Sequence, residues 1–196
     1  QGYFQSTPIQ LCLMTAQIAN GGFKINPRII FDKTKNNLKE YIKFKNENPN
    51  ATLPLDLFTS NFDLKPLFKN QENIKIIQEA MYSSSNEPGG TSYRSRLEDK
   101  RFTFAGKTGS SQIRKFTEAQ REAEVKQDQL DYKNRDHALF IAFAPVSDPK
   151  YAISVVVEHG GTGSSAAAPI AKKVIKKVLE RHSLRQSMNN LLGDSI

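Results

Sequence analysis

The stretch Phe102-Thr103-Phe104-Ala105-Gly106-Lys107-Thr108-Gly109-Ser110-Ser111-Gln112 decides the reading of this 196-residue chain. Its opening residues alternate large apolar and small polar side chains, the period of a β-strand, and predict a strand running straight into Lys107-Thr108-Gly109. On a sheet edge such a triplet has a definite chemistry. The Lys107 ammonium and the Thr108 hydroxyl hold a carboxylate by charge and hydrogen bond. Gly109, with no side chain, lets an extended peptide lie alongside as an added strand. The backbone N–H of Ser110 is then placed to stabilise an oxyanion.

Two other readings compete for the same residues. Gly106-Lys107-Thr108 matches the end of a phosphate-binding loop, but that loop needs Gly five residues before Gly106, where Arg101 stands. It also needs a flexible approach and a helix starting at the Lys. Here an alternating run precedes the Lys and Gly109 follows the Thr. For the triplet taken alone, an ordinary strand end with a polar turn is the plainer reading.

Acyl transfer at a Lys-Thr-Gly strand further requires a Ser-x-x-Lys nucleophile and a Ser-x-Asn. Ser147-Asp148-Pro149-Lys150 and Ser84-Ser85-Asn86 match as strings. Pro149 puts the first in a hairpin turn, whereas the motif needs a helical turn to bring the Lys onto the Ser. The second is expected in a turn directly after a helix, too near the triplet in sequence. Both are read as accidental, so no nucleophile is assigned in this chain.

Outside the triplet, the length suits one domain with a real core, or a piece of a larger domain. No apolar run is long enough to cross a bilayer and no signal peptide opens the chain, so this stretch reads as soluble. The lone Cys12 excludes an internal disulfide. His137 and His159 have no further thiol or carboxylate at ligand spacing, so neither metal nor cofactor is expected. The net charge of +8 invites a nucleic-acid reading. Its distribution argues against one. Lys172, Lys173, Lys176 and Lys177 share one arc of a helix whose other arc holds Ile170, Val174, Ile175, Val178 and Leu179, the pattern of a helix docked on a sheet. The remaining basic residues lie in Lys/Asn-rich loops without aromatic interleaving.

Along the chain, Thr7-Pro8-Ile9-Gln10 predicts a capped helix start, and Gly21-Gly22 its end. That helix is apolar on nearly all sides and is expected to be buried in a larger body. Ile25 to Ile30 reads as a short edge strand. Residues 33–71 read as a surface insertion, Glu72 to Tyr82 as a helix, and Ser83 to Thr91 as a long turn. Residues 115–136 read as a polar helical excursion with Thr117 as its N-cap and Glu118 in its first turn. His137–Ala144 and Tyr151–Glu158 form a hairpin, and a helix from Ala168 to about Arg185 follows, with a frayed tail over 186–196. The resulting fold class is α+β: an antiparallel sheet with a C-terminal helix packed on it.

The chain as a whole resembles the class B penicillin-binding proteins, and among them the penicillin-binding protein 2 family of cell-elongation transpeptidases. The likeness rests on blocks in family order. They are Gln1-Gly2-Tyr3 with Thr7-Pro8-Ile9-Gln10-Leu11, Ile18-Ala19-Asn20-Gly21-Gly22, Asn86-Glu87-Pro88-Gly89-Gly90-Thr91 and Ala105 to Gln112. His137 to Pro145, Val155 to Gly161 and Ser164-Ser165-Ala166-Ala167-Ala168-Pro169 complete them.

The resemblance implies a serine D,D-transpeptidase that cross-links peptidoglycan stem peptides on the periplasmic face of the inner membrane, with its anchor outside this chain, and that β-lactams acylate. It implies a RodA-type glycosyltransferase and the elongation complex as partners, and an incomplete penicillin-binding (serine β-lactamase-like) transpeptidase domain as the fold. Four site residues carry over: Lys107 and Thr108 for the substrate carboxylate, Gly109 for strand approach, and Ser110 for the oxyanion N–H. The serine nucleophile and its lysine are expected upstream, as are the first strands of the sheet. The strand at Tyr151–Glu158 would then show an unpaired edge, open to self-association. The alternatives are a non-catalytic fragment that keeps only the carboxylate-binding strand, and an unrelated basic interaction module.

Overall fold

The computed structural model describes residues 5–27, 43, 46–49, 66–113 and 126–193, with side chains as far as residue 185. Helix α1 spans Pro8–Ala19. Thr7 caps it with the reciprocal bonds of a capping box: the Thr7 hydroxyl accepts from the Gln10 N–H, and the Gln10 side chain accepts from the Thr7 N–H. At the other end the buried Asn20 closes the turn. Its Oδ1 accepts from the Gly22 and Phe23 N–H groups while its Nδ2 donates to the Phe23 carbonyl. Gly21 and Gly22 follow at φ 92° and 89°, where a side chain would be strained.

Helix α2 spans Glu72–Asn86. It runs four residues beyond Tyr82, so Ser83-Ser84-Ser85-Asn86 form its last turn rather than the long turn expected there. A tight turn then leads through Gly89 and Gly90 to a short 3-10 turn at Tyr93–Ser95. A second one, Lys100–Phe102, precedes the sheet. The alternating run at Phe102-Thr103-Phe104 is therefore not strand. The first strand begins at Ala105.

The sheet has three antiparallel strands in sequence order: β1 (Ala105–Ser111), β2 (His137–Ala144) and β3 (Tyr151–Val157). Lys107 stands opposite Ile141 and Ser111 opposite His137. Ala138 stands opposite Val157 and Ala144 opposite Tyr151. The β2–β3 connection is the expected hairpin, with Lys150 N–H closing on the Ala144 carbonyl. Helix α3 follows β3 over Ala168–Gly193, opened by a wide π turn at Gly163–Ala167.

β2 is central, and its alternation feeds two cores. Ala138, Phe140 and Ala142 join Phe104, Leu97 and the Ala168, Ala171, Ile175 and Leu179 face of α3. Phe143, on the opposite face, joins Ile18, Ala19, Met81 and Ala105, with Ile77 and Ile141 at its margin. α1 packs on β3 and β2 while α2 lies against β1, giving helices on both faces. Gln78 ties the two helices together, its Nε2 donating to the Ile18 carbonyl at 2.7 Å.

Several expectations change. The buried stripe of α3 is rotated toward its alanines, leaving Ile170 and Val174 44% and 43% exposed. The helix continues to Gly193, through most of the segment expected to fray. α1 is buried on one face only, with Ile9 and Met14 exposed. Residues 126–136 form two 3-10 turns, Gln127–Gln129 and Tyr132–Asn134, in place of a continuous helix. Thr117, Glu118, most of the 33–71 segment and half of the supposed strand at 25–30 lie outside the described residues; Ile25 to Pro27 are not strand.

Cys12 sits half-buried between α1 and β3, its Sγ 3.5 Å from the Ala152 carbonyl. Burial pushes its thiol pKa up, against a smaller opposing pull from a hydrogen bond with the Ser154 backbone. The fold therefore favours the protonated thiol. That contribution to stability is present below the ordinary value of 9.0 and declines as pH rises past it. Alkylation of Cys12 by iodoacetamide, followed by mass against pH, is expected to be slower in the folded protein than in urea, with its midpoint displaced to higher pH. Equal rates in both states would contradict this environment.

Candidate active site

β1 has β2 on one side only, so alternate residues turn their backbone N–H and C=O outward. The structure shows which ones. The Ser85 hydroxyl donates to the Gly106 carbonyl at 3.3 Å and the Asn86 amide donates to the Phe104 carbonyl at 2.9 Å. On the opposite side, the Thr103 carbonyl takes the Val146 N–H of the hairpin loop. By the two-residue period, Thr108 and Ser110 follow Gly106 and direct their backbone groups outward. The end of α2 thus covers the first half of the edge, and the second half, Thr108 to Ser110, is left uncovered by that helix. The Ser110 N–H is therefore directed to the side of the strand away from β2.

Lys107 is exposed, and its Nζ bends round the edge to the Thr108 carbonyl at 2.9 Å. Lys107 and Thr108 leave the strand on opposite faces of the sheet. They meet only at the outer edge, where the ammonium lies on the Thr108 backbone and the Thr108 hydroxyl lies 2.9 Å from that of Thr91. The Ser110 hydroxyl is 3.5 Å from the Gly161 carbonyl. All four residues expected at the site therefore line one strip of strand.

The two glycines of the strand differ in kind. A Cβ on Gly106 would come within 2.4 Å of Phe140 Cζ and 2.9 Å of the Ile141 carbonyl, so packing demands glycine there. A Cβ on Gly109 would meet only Leu139 Cβ, at 3.4 Å. Nothing among the described residues fills that space, and an incoming chain is free to use it. Gly163 closes the other face, packed so tightly over Gly109 that its own Cβ would fall 2.3 Å from the Leu139 carbonyl.

Beyond Ser111 the edge is held by Asp136. Its carboxylate accepts from the Ile113 N–H at 3.4 Å and from Gln127 Nε2 at 2.9 Å. Its own N–H donates to Gln127 Oε1, and its carbonyl accepts from the Gly161 N–H at 2.8 Å. One buried residue thus joins the end of β1 to the Gly160–Gly163 loop that walls the Ser110 end. Next to it, His137 Nδ1 accepts from the His159 N–H at 2.9 Å, which places the His137 proton on Nε2.

The two motif look-alikes part company. Ser147 lies in the hairpin loop, with Lys150 turned to the Asp148 carboxylate at 2.6 Å. Ser84-Ser85-Asn86 is no loose turn: it ends α2 and grips β1. Sequence reasoning missed the roles of Ser85, Asn86, Thr91, Gln127 and Asp136. Their one signal was position, immediately flanking a glycine turn and a strand. Among the described residues no group of three or more His, Cys, Asp or Glu side chains is arranged to hold a metal ion, and no helix is long and apolar enough to cross a membrane.

The family profile for the penicillin binding protein transpeptidase domain matches residues 1–176. The chain belongs to that family. Among curated relatives of this transpeptidase chain, the peptidoglycan D,D-transpeptidase MrdA of Haemophilus influenzae is 31% identical over 181 residues, covering 92% of this chain and 25% of the relative. That of Salmonella typhimurium is 28% identical over 180 residues, covering 92% and 26%. The chain spans about a quarter of the length of these relatives. Two solved structures share the fold: penicillin-binding protein 2 of Pseudomonas aeruginosa in complex with WCK 5153 has a TM-score of 0.56 at 29% identity, covering 89% of this chain and 30% of that one. Helicobacter pylori penicillin-binding protein 2 in complex with MreC has a TM-score of 0.56 at 26% identity, covering 92% and 26%.

The glycine contrast is testable. Gly106→Ala is expected to cost about 1–3 kcal/mol of stability through overpacking against Phe140, while Gly109→Ala costs under about 1 kcal/mol. Denaturant midpoints of the two variants, compared with the parent, read the difference directly.

Proposed function

We propose that this chain supplies the substrate-binding edge of a peptidoglycan D,D-transpeptidase of the cell-elongation type. The observation that carries the proposal is the half-covered β1 edge, where Lys107, Thr108, Gly109 and the Ser110 N–H line the one stretch left open by α2. In this reading a stem peptide ending in D-Ala-D-Ala lies along Thr108–Ser110 as an added strand. Lys107 and the Thr108 hydroxyl hold its terminal carboxylate. The Ser110 N–H stabilises the oxyanion when a serine Oγ, supplied from outside this chain, attacks the scissile carbonyl. The C–N bond breaks, D-Ala leaves as the amine, and the acyl-enzyme passes its acyl group to an amine of a neighbouring stem peptide. β-Lactams, whose ring carboxylate imitates the peptide terminus, acylate the same serine.

The relatives, peptidoglycan D,D-transpeptidases, support this reading of substrate and reaction. The H. pylori complex with MreC supports an elongation assembly as the setting. A RodA-type glycosyltransferase as the further partner and the periplasmic face of the inner membrane as the place rest on the family resemblance alone. The membrane anchor then belongs to a part of the polypeptide outside this chain.

The test uses the intact transpeptidase that carries this chain. A reporter penicillin is expected to add one acyl group per polypeptide by intact mass. Lys107→Ala removes a charge-assisted contact of about 1.5–3 kcal/mol and should slow acylation about 10- to 100-fold. An unchanged rate in that variant would sink the carboxylate role of Lys107. Absence of any adduct in the parent would sink the transpeptidase reading.

The outer edge of β3 supports a second interface. Among the described residues β3 pairs with β2 alone as a strand, Cys12 Sγ meeting only its Ala152 carbonyl and Ser154 backbone from the side. An edge left this free of strands pairs with a further strand of the polypeptide or with a second copy. Residues 1–196 prepared alone are expected to associate with rising concentration by light scattering. A monomer at every concentration would contradict it.

A further inference from the structure

The last turn of α2 and the turn after it bring three hydroxyls into line. Ser84 Oγ lies 3.3 Å from Thr91 Oγ1, and Thr91 Oγ1 lies 2.9 Å from Thr108 Oγ1. The line is held by backbone. Ser92 N–H donates to the Ser84 carbonyl at 3.1 Å, and the Ser92 hydroxyl donates to the same carbonyl at 3.0 Å. The Ser85 and Ser92 hydroxyl oxygens lie 3.0 Å apart, so two protons serve this contact and the Ser84 and Gly106 carbonyls between them. Gly90 lies so close over the helix end that a Cβ there would fall 2.4 Å from the Ser84 carbonyl. Thr91 is thus pinned one residue on either side, with its hydroxyl aimed at Thr108.

A threonine hydroxyl has one proton to give and lone pairs to accept with. If Thr108 donated to Thr91, it would face a carboxylate with lone pairs only, which repel. If Thr91 donates to Thr108, the Thr108 proton is free for the ligand. In the second direction the lone pairs of the Thr91 oxygen remain open to a further donor, and Ser84 stands 3.3 Å away in position to be that donor. We propose that Thr91 is a positioning residue: with Ser84 behind it, it sets the Thr108 hydroxyl as a donor to the substrate carboxylate. The proton order runs Ser84 to Thr91 to Thr108 to ligand. Each donation polarises the next, so the terminal bond is stronger than that of an isolated threonine once the ligand has excluded water.

This inference rests on the reading of Thr108 as a carboxylate-binding group, and the experiment separates the two. In the intact transpeptidase, acylation rates are measured with a penicillin and with its methyl ester, which lacks the anionic carboxylate. The parent is expected to prefer the acid. Thr91→Val keeps the shape and deletes the hydroxyl. It should slow the acid about 5- to 10-fold and leave the ester within about twofold, and Thr91→Ser should restore the acid rate. Ser84→Ala, which touches only the far end of the line, should show the same selectivity at about two- to threefold.

A parent that does not distinguish acid from ester overturns the carboxylate role of Thr108, and the relay with it. A parent that does distinguish them, with Thr91→Val slowing acid and ester alike or neither, overturns the relay alone. Failure of Thr91→Ser to restore the rate does the same. If Thr91→Val does not fold, the Ser84→Ala selectivity decides: a loss confined to the acid supports the relay, and an equal loss on both overturns it.

Discussion

The outward carbonyls at the start of β1 are taken by the end of a helix, and the rest of the site depends on that capture. An edge strand with all its polar groups free is a general template for pairing. Here Asn86 and Ser85 occupy the Phe104 and Gly106 carbonyls and stop there, so the open stretch begins at Thr108. Lys107, Thr108, Gly109 and Ser110 acquire their meaning from that boundary. The same helix end carries Ser84, and the turn that follows brings Thr91 onto Thr108. α2 thus both limits the edge and equips it.

Two supports hold the strip from its ends. On one side Gly106 lets Phe140 reach beneath β1, so the strand lies on the aromatic core shared with α3. On the other, the Asp136 hydrogen bonds join Ile113, Gln127 and Gly161 into a wall beside Ser110. Neither support has a side chain facing the open edge. Both act by fixing backbone, which is what the proposed oxyanion donor and strand-pairing surface would require.

Legibility in the sequence followed the locality of the interaction. The α1 capping box, the Gly21-Gly22 stop, the hairpin around Pro145 and the Lys-Thr-Gly strip all depend on neighbours within a few residues, and they could be read directly. The fold class followed from their order. What stayed hidden depends on partners far along the chain. Ser83 to Asn86 have poor helical propensity and read as a turn, but contacts with β1 some twenty residues on keep them helical. The alternation at Phe102 to Phe104 imitated a strand, whereas Phe104 is buried by Leu97 and Phe140 from a turn. Ile170 and Val174 fit a helical stripe as well as Ala168 and Ala171 do, but the small alanines are the ones that face the sheet, in a helix entered through the closely packed Gly163. Asp136, one charged residue before an apolar strand, carried no local pattern at all.

The half-covered edge also works as a ruler. At about 3.3 Å of strand per residue, Thr108 to Ser110 spans roughly 7 Å, and with the Thr108 carbonyl already met by Lys107 Nζ the outward groups left to a ligand are few. A longer peptide finds Asn86 and Ser85 already in place and gains no further ladder bonds in that direction. Under the proposed function, selection falls on the end of the peptide, its terminal charge and the room beside Gly109, and not on length. On that proposal the surface reads the terminus of a polymer while remaining indifferent to how much polymer lies behind it.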